Sequence, residues 1–233
     1  MKSLVFDSSS IISLATNNLL WLLRPLKKQF KGDFYISKSI KHEIVDHPMT
    51  TKRFKFEALV IEDLIEEGYL KLHYDKQIER DAEKLIEISK KIFNARGRDL
   101  TLVQKAEVEG LLLAKHLKSE AFVVDERTMR LLIEAPENVR KILQSKLHTQ
   151  IHFNKNNLDE FRKRVNGVKI IRSTELALVA FDMKLLDKYI TVNKILKKSK
   201  KKALLEGVLW GLKLKGCSIS PEEINEILRE KFK

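Results

Sequence analysis

The chain has little cysteine: Cys217 is the only one in 233 residues. One cysteine excludes an intramolecular disulfide and a thiolate zinc site, and it fits the reducing cytoplasm, where we expect the protein. The chain also lacks an apolar run long enough to cross a bilayer, so we expect no membrane association. The apolar residues after Lys2 are interrupted by Asp7 and three serines, which disfavours a signal peptide.

The positive charge of the chain is concentrated in its middle third. The formal net charge is +13. Residues 1–125 carry 21 Lys and Arg against 19 Asp and Glu, whereas residues 126–202 carry 19 against 8. A cationic surface binds polyanions by releasing their counterions, so nucleic acid is the favoured class of partner.

Strand and helix patterns alternate along the first half of the chain. Apolar runs predict strands at 4–6, 34–36, 69–74 and 121–124, and helical patterns occupy 11–23 (closed by Pro25), 37–48, 54–67, 76–93 and 101–117. Such alternation predicts a three-layer α/β/α fold with a central, mostly parallel sheet. A last strand at 168–171 and a helix at 174–186 follow a looser, basic stretch. The lysine run 197–202 is expected to be a solvated linker before two C-terminal helices.

Four acidic residues stand where strands end or helices begin: Asp7, Glu43, Glu107 and Asp125. Ligands of a parallel sheet gather beyond the carboxyl ends of its strands, which is where Asp7 and Asp125 are expected. Two carboxylates about 4 Å apart repel by about 4 kcal/mol at an effective dielectric of about 20, so a cluster of them favours a divalent cation. Mg²⁺ or Mn²⁺ held in this way supports phosphodiester hydrolysis.

Asp99 and Glu109 compete with Glu107 for the third acidic position. Asp99 is expected to cap the helix that begins near Thr101. Glu109 is expected to point away from Glu107, because residues two apart on a helix face different directions. Taken singly, each acid also has a structural explanation, as a helix cap or a solvated surface residue.

Weaker candidates lie near the ends of the last strands and in the basic stretch. Glu126, beside Asp125, is either a helper of the metal site or a surface residue, and Glu175 could reach the same crevice. His148 and His152 have the spacing of two zinc ligands on a helix. No further ligand type surrounds them, so we interpret them as surface residues.

The order and spacing of the acids resemble the PIN-domain family. The resemblance rests on Val-Phe-Asp-Ser-Ser-Ser-Ile-Ile at 5–12, on Tyr-Ile-Ser at 35–37 leading to Glu43, and on Glu107 standing 18 residues before Asp125. It implies that Asp7, Glu43, Glu107 and Asp125 are catalytic and bind Mg²⁺ or Mn²⁺. It further implies that Ser9 orients the site.

Members of this family are mostly metal-dependent ribonucleases, including the VapC-type toxins. The resemblance implies an endoribonuclease acting on single-stranded RNA, whose exposed backbone reaches a recessed acidic site more easily than a duplex does. The alternative is a non-catalytic PIN module that binds RNA or a protein partner through its basic segment. A homodimer and an antitoxin-type protein are further candidate partners.

The proposed site also suggests which basic residues contact nucleic acid and how the chain divides into domains. Five arginines are candidate nucleic-acid contacts: Arg96, Arg98, Arg127, Arg130 and Arg172. We expect a PIN-like nuclease domain at 1–172, with a basic insertion at about 127–167 that the family does not explain. A helical extension at 173–233 is expected to pack on this domain.

Overall fold

The computed structural model describes residues 2–190 and 197–233. Its strands, in chain order, are β1 (Ser3–Phe6), β2 (Asp33–Ser37), β3 (Lys71–His73), β4 (Phe93–Ala95), β5 (Arg98–Asp99), β6 (Ala121–Val123), β7 (Ile151–Phe153) and β8 (Ile170–Ile171). Five of them form one sheet in the order β3-β2-β1-β6-β8, and all of its neighbouring pairs are parallel. The predicted central parallel sheet is confirmed, with β1 in the middle.

Helices cover both faces of this sheet. The α-helices are α1 (Ser8–Thr16), α2 (Leu23–Phe30), α3 (Lys38–Lys41), α4 (His47–Met49), α5 (Lys55–Glu66), α6 (Lys76–Lys90), α7 (Lys105–His116), α8 (Arg127–Glu134), α9 (Pro136–Leu147), α10 (Lys155–Val165), α11 (Ser173–Asp182), α12 (Lys197–Leu214) and α13 (Pro221–Lys231). A π-helical turn, His42–Asp46, joins α3 to α4, and short 3₁₀ segments lie at Leu20–Leu22 and Leu185–Tyr189. No described helix is long and apolar enough to span a bilayer.

The two faces of the sheet bury separate hydrophobic clusters, because successive side chains of a strand point to opposite sides. Leu4 and Phe6 of β1 pack with residues of α1, α2, α11, α12 and α13. Val5 packs on the other face with residues of α6, α7, α8 and α10. This alternation confirms the predicted three-layer α/β/α arrangement.

The C-terminal helices are part of the first cluster. Leu205, Leu209 and Leu212 of α12 and Ile224 of α13 are fully buried together with Phe6 of the central strand. Helices α11, α12 and α13 therefore pack on the sheet, although the status of 173–233 as a separate extension stays a prediction. The lysine run is corrected from a linker to the first turns of α12, where Lys201 forms an ion pair with Asp187 at 3.2 Å.

The basic segment 127–167 folds against the opposite face. Its residues Met129, Leu132 and Phe161 are buried in the second cluster, so the segment completes that layer. Its strand β7 pairs antiparallel with β4, which also pairs with β5, and the three form a second sheet that the sequence patterns did not predict.

Two local expectations are corrected by these elements, and a third is confirmed. Pro25 lies in the first turn of α2 and does not close the preceding helix, because proline is tolerated where backbone N–H groups have no helical partner. Asp99 lies in β5, and Gln104 precedes the first residue of α7, so Asp99 does not cap that helix. His148 ends α9 and His152 lies in β7, so they do not share a helix face, although both are exposed as expected.

Candidate functional site

Asp7 lies at the carboxyl end of the central strand and caps α1. Its Oδ2 accepts hydrogen bonds from the backbone N–H of Ser9, at 2.9 Å, and from the Ser9 hydroxyl. The Asp7 backbone N–H donates to the Val123 carbonyl at 2.8 Å, which ties this position to the neighbouring strand β6. The sequence Asp-Ser-Ser-Ser folds in this way because Asp is a strong helix-capping residue.

The second carboxylate oxygen of Asp7 has no partner among the described residues. Asp7 is only 1% exposed, and its Oδ1 is buried without a hydrogen bond. Burial, and then the nearby charge of Glu43, raise the pKa of Asp7 to about 6, although Ser9 opposes this. A buried carboxylate oxygen without a donor is a group that a cation would satisfy.

Glu43 reaches the site from the π-helical turn. The backbone N–H of His47 bonds to the carbonyl of His42, which is the wider spacing that defines such a turn. π-Helical turns are rare in proteins, but those that occur often lie at functional sites. Glu43 is half-buried, and its carboxylate forms no hydrogen bond or ion pair with any described residue. Its charge raises the pKa of both Asp7 and Glu107.

Glu107 enters from the first turn of α7. Its Oε2 accepts a hydrogen bond from the Gln104 backbone N–H at 2.8 Å. Burial raises the pKa of Glu107 to about 8, with further contributions from the charges of Asp7, Glu126 and Glu43. The site is therefore an electrostatically coupled group of acids from four separate segments of the chain.

Gly110 lets α7 lie close to the sheet. A Cβ at this position would stand 2.9 Å from the Phe122 ring and 3.0 Å from Ile40 Cδ1. The contact with the Phe122 ring is closer than a Cβ atom tolerates, and the contact with Ile40 is tight. Glycine therefore brings the first turn of α7, and Glu107 with it, near the strand ends.

Asp125 departs from its predicted role. It is fully buried, and both carboxylate oxygens are occupied by Ser173, whose backbone N–H donates to Oδ1 at 2.7 Å and whose hydroxyl donates to Oδ2 at 2.6 Å. Ser173 is the first residue of α11, so the carboxylate sits at a helix N-terminus, where the helix dipole favours negative charge. The charge of Asp125 is not among the main causes of the raised pKa of Asp7 or Glu107.

Asp125 still connects to the site through its backbone. Its N–H donates to the Ser9 hydroxyl oxygen at 3.0 Å, and Ser9 in turn holds Asp7. Ser9 thus links two of the predicted acids, as expected for a residue that orients the site. Glu126, next to Asp125, caps α8 through the Met129 N–H at 2.7 Å, and its charge acts on Glu107.

The acids are grouped but do not form a closed set of ligands. Among residues 2–190 and 197–233, no three or more His, Cys, Asp and Glu side chains are placed to hold a metal ion as they stand. Asp7 Oδ1 and the Glu43 carboxylate have no hydrogen-bond donor among the described residues, and a cation would satisfy such oxygens.

The other two acidic candidates, Glu109 and Glu175, form hydrogen bonds or ion pairs with residues outside the site. Glu109 is buried and accepts a hydrogen bond from the Ser39 hydroxyl, so it points away from Glu107 as expected. Glu175 pairs with Arg172 at 2.7 Å and bonds to Thr174. Glu175 therefore belongs to an ion network and does not reach the acids of the site.

The five candidate arginines divide into two groups. Arg96, Arg98 and Arg127 are exposed, as a nucleic-acid contact requires. Arg172 is only 8% exposed and joins Glu175 to Glu223 and the Ser218 carbonyl, and Arg130 reaches the same carbonyl at 3.4 Å. The assignment of Arg172 to nucleic acid is therefore corrected to a structural role between α11 and α13.

Ser173 is the residue near the site that sequence reasoning missed. It is fully buried and determines where the Asp125 carboxylate points. The available signal was the Ser-Thr-Glu sequence after the last strand, a helix-capping pattern. The pattern indicates a helix start but not which distant carboxylate that start will bind.

Comparison with known proteins found no match: no family model, no curated protein and no solved structure is similar to this chain. The resemblance to the PIN-domain family therefore stays a prediction based on residues 5–12, 35–43 and 107–125. The function has to be inferred from the chemistry of the site.

Proposed function

We propose that the protein is a metal-dependent endoribonuclease whose site is built on Asp7, Glu43 and Glu107. One observation supports this above the others: a buried carboxylate of Asp7 keeps an oxygen without a donor and is coupled to two further acids. A fold gains nothing in stability from repelling carboxylates, whereas a divalent cation bound by them relieves the repulsion.

The proposed roles follow from the contacts of each residue. Asp7, Glu43 and Glu107 would hold Mg²⁺ or Mn²⁺, both of which favour carboxylate oxygens. When bound, the cation would supply an activated water and would neutralise charge on the phosphate oxygens. Ser9 holds Asp7 in place, and Asp125 supports the site through its buried contacts with Ser173 and Ser9.

The reaction would be hydrolysis of an RNA phosphodiester bond. A water oxygen forms the new bond to phosphorus, and the bond from phosphorus to the 3′ oxygen breaks. The leaving oxygen takes up a proton and becomes a 3′-hydroxyl, and the other product carries a 5′-phosphate. Water is the only co-reactant that this step consumes.

The charge distribution supports RNA as the substrate. The acids lie in the part of the chain that is nearly neutral, whereas the segment 126–202 carries most of the positive charge. Arg127 is exposed and stands next to Glu126, which acts on Glu107. Cations beside an acidic site bind the flanking phosphates, and this binding would weaken as salt rises.

The test is cleavage of defined single-stranded RNAs with Mn²⁺ or EDTA by wild type, Asp7→Asn and Glu107→Gln. We expect metal-dependent cleavage by wild type and a loss of about 10²-fold or more in each variant, since each removes a metal ligand. Glu66→Gln, an exposed acid on α5, is the matched control and should cleave normally. Equal activity in all four proteins would contradict the assignment.

The rival function is a PIN-like module that binds RNA or a protein without catalysis. Thermal unfolding with added Mn²⁺ separates the two proposals. A ligand at 100 times its dissociation constant stabilises a fold by about 2.7 kcal/mol. If Mn²⁺ raises the unfolding temperature of wild type but not of Asp7→Asn, the enzyme is supported. If Mn²⁺ does not raise the unfolding temperature of wild type, the module is supported. A homodimer and an antitoxin-type partner stay predictions.

A further inference from the structure

A run of alternating basic and aromatic residues precedes α5 and extends into its first turn. Lys52, Arg53, Phe54, Lys55 and Phe56 are consecutive, and all five side chains are exposed. Phe54 is 52% exposed and Phe56 is 72% exposed, the latter an unusual value for a phenylalanine. We call residues 52–56 the aromatic-basic segment.

The backbone of this segment is held in a costly conformation. Phe54 has φ of 60° and ψ of 17°, in the left-handed region. This region is unfavourable for a residue with a large side chain, and strain of this kind concentrates at functional sites. The Phe54 ring lies at the surface, so burial of the ring does not offset the strain.

The two rings line two adjoining hollows, here called the groove, one end of which reaches the site residue Glu43. One end of the groove is lined by Phe54, Ile12, Pro48 and the site residue Glu43. The other end is lined by Phe56, Trp21 and Val60, and the two ends share Ala15 and Glu57.

The Glu43 end has a volume of only about 50 Å³, far below the roughly 300 Å³ of a pocket that encloses a ligand. The flat aromatic ring of a ligand would therefore lie on the surface of the groove, against the faces of the two phenylalanine rings. It would not be enclosed.

The cations of the segment are free to bind phosphates. Lys52, Arg53 and Lys55 form no ion pair with any described residue. Exposed cations that alternate with exposed aromatic faces suit single-stranded nucleic acid, in which phosphates and unstacked bases alternate. A second copy of the chain suits the surface less well, because a two-fold contact would bring these like charges together.

We propose that the aromatic-basic segment is a stacking platform for single-stranded RNA, which places bases on Phe54 and Phe56 and leads the backbone to Glu43. The proposal rests on the proposed function for its direction, since the groove ends at Glu43, one of the acids of that site. Its binding step, however, needs neither metal nor cleavage. The two proposals can therefore fail separately.

The experiment measures binding of a short fluorescein-labelled oligoadenylate by anisotropy in EDTA, so that no cleavage occurs. Stacking of one base on an aromatic side chain is worth roughly 1–3 kcal/mol, so Phe54→Ala and Phe56→Ala should each weaken binding by roughly 5- to 150-fold. An abasic oligonucleotide of equal charge should bind wild type and both variants equally. Lys52→Ala should weaken both probes alike and lower the salt dependence.

Three further variants separate stacking from other roles. Phe56→Leu keeps an apolar side chain without an aromatic face, so it should bind oligoadenylate as weakly as Phe56→Ala. Leu59→Ala removes another exposed apolar side chain of α5 and should leave binding unchanged. Phe54→Gly relieves the left-handed backbone, so it should weaken binding without lowering the temperature of unfolding.

The outcomes decide the proposal in either direction. Weaker oligoadenylate binding in the phenylalanine variants, with Leu59→Ala binding as tightly as wild type, supports the platform even if no cleavage is found. Unchanged binding in Phe54→Ala and Phe56→Ala overturns it, even if the protein cleaves RNA. A dimer in sedimentation that Phe56→Ala or Phe56→Leu dissociates, with RNA binding unaffected, also overturns it and assigns the surface to a protein contact.

Discussion

Replacing Glu107 with glutamine should remove much of the pH dependence of stability of the metal-free protein. Burial, and then the neighbouring acids, raise the pKa of Glu107 from its usual 4.5 to about 8. Between these two values the folded chain holds a proton that the unfolded chain has released. The free energy of unfolding therefore decreases as the pH rises through this window.

The size of the decrease follows from the two pKa values. One pKa unit corresponds to about 1.4 kcal/mol, which sets an upper value of about 5 kcal/mol for Glu107. The side chain is half-buried, and water screens part of the field, so we expect on the order of 3 kcal/mol. Asp7, whose pKa rises from 3.8 to about 6, contributes a similar decrease at lower pH.

Urea denaturation in EDTA, from about pH 5 to about pH 8.5, measures this effect. Wild type should lose stability across the range, and Glu107→Gln should lose much less above about pH 6. The glutamine oxygen can still accept the Gln104 N–H, so the capping contact is kept. Glu66→Gln, which removes an exposed acid of α5, should follow wild type. If Glu107→Gln kept the wild-type slope, the coupled acid cluster would be refuted.

Three further changes test the contacts around the site, each by urea denaturation at neutral pH. Asp7→Asn should stabilise the metal-free protein by about 1 kcal/mol, since it removes a buried charge, and a loss of stability would contradict this. Ser173→Ala should cost about 2 kcal/mol because it removes a hydroxyl donor from the buried Asp125 carboxylate, whereas exposed Ser145→Ala should be neutral. Arg172→Met should cost about 2 kcal/mol by leaving two acids unpaired, and a neutral result would show that the network contributes nothing.

The sequence predicts correctly those elements that are determined by residues close together in the chain. β1 is a run of apolar residues, and Asp7 follows it directly with three serines that favour a helix start. In this case the residues that determine the structure are adjacent in the sequence.

The features that were missed depend on distant partners. β4 has three residues, and its partner β7 begins more than fifty residues later, so no local pattern reveals their pairing. The partner of Asp125 is Ser173, 48 residues away, and one of the two acids that pair with Arg172 is Glu223, 51 residues away. A sequence shows that a charge exists, but only the fold shows whether another group neutralises it.

Asp7 and Asp125 differ in the hydrogen bonds that their carboxylates accept, and this difference is the strongest support for the proposed cation site. Both follow parallel strands and both are buried, yet both oxygens of Asp125 accept hydrogen bonds, whereas one oxygen of Asp7 has no donor among the described residues. The fold thus provides hydrogen-bond donors for both carboxylate oxygens of Asp125 but for only one of those of Asp7. An uncompensated buried acid lowers stability, and such costs concentrate where a ligand is bound. Asp7, coupled to Glu43 and Glu107, is therefore the position from which a cation and an RNA phosphate should first be sought.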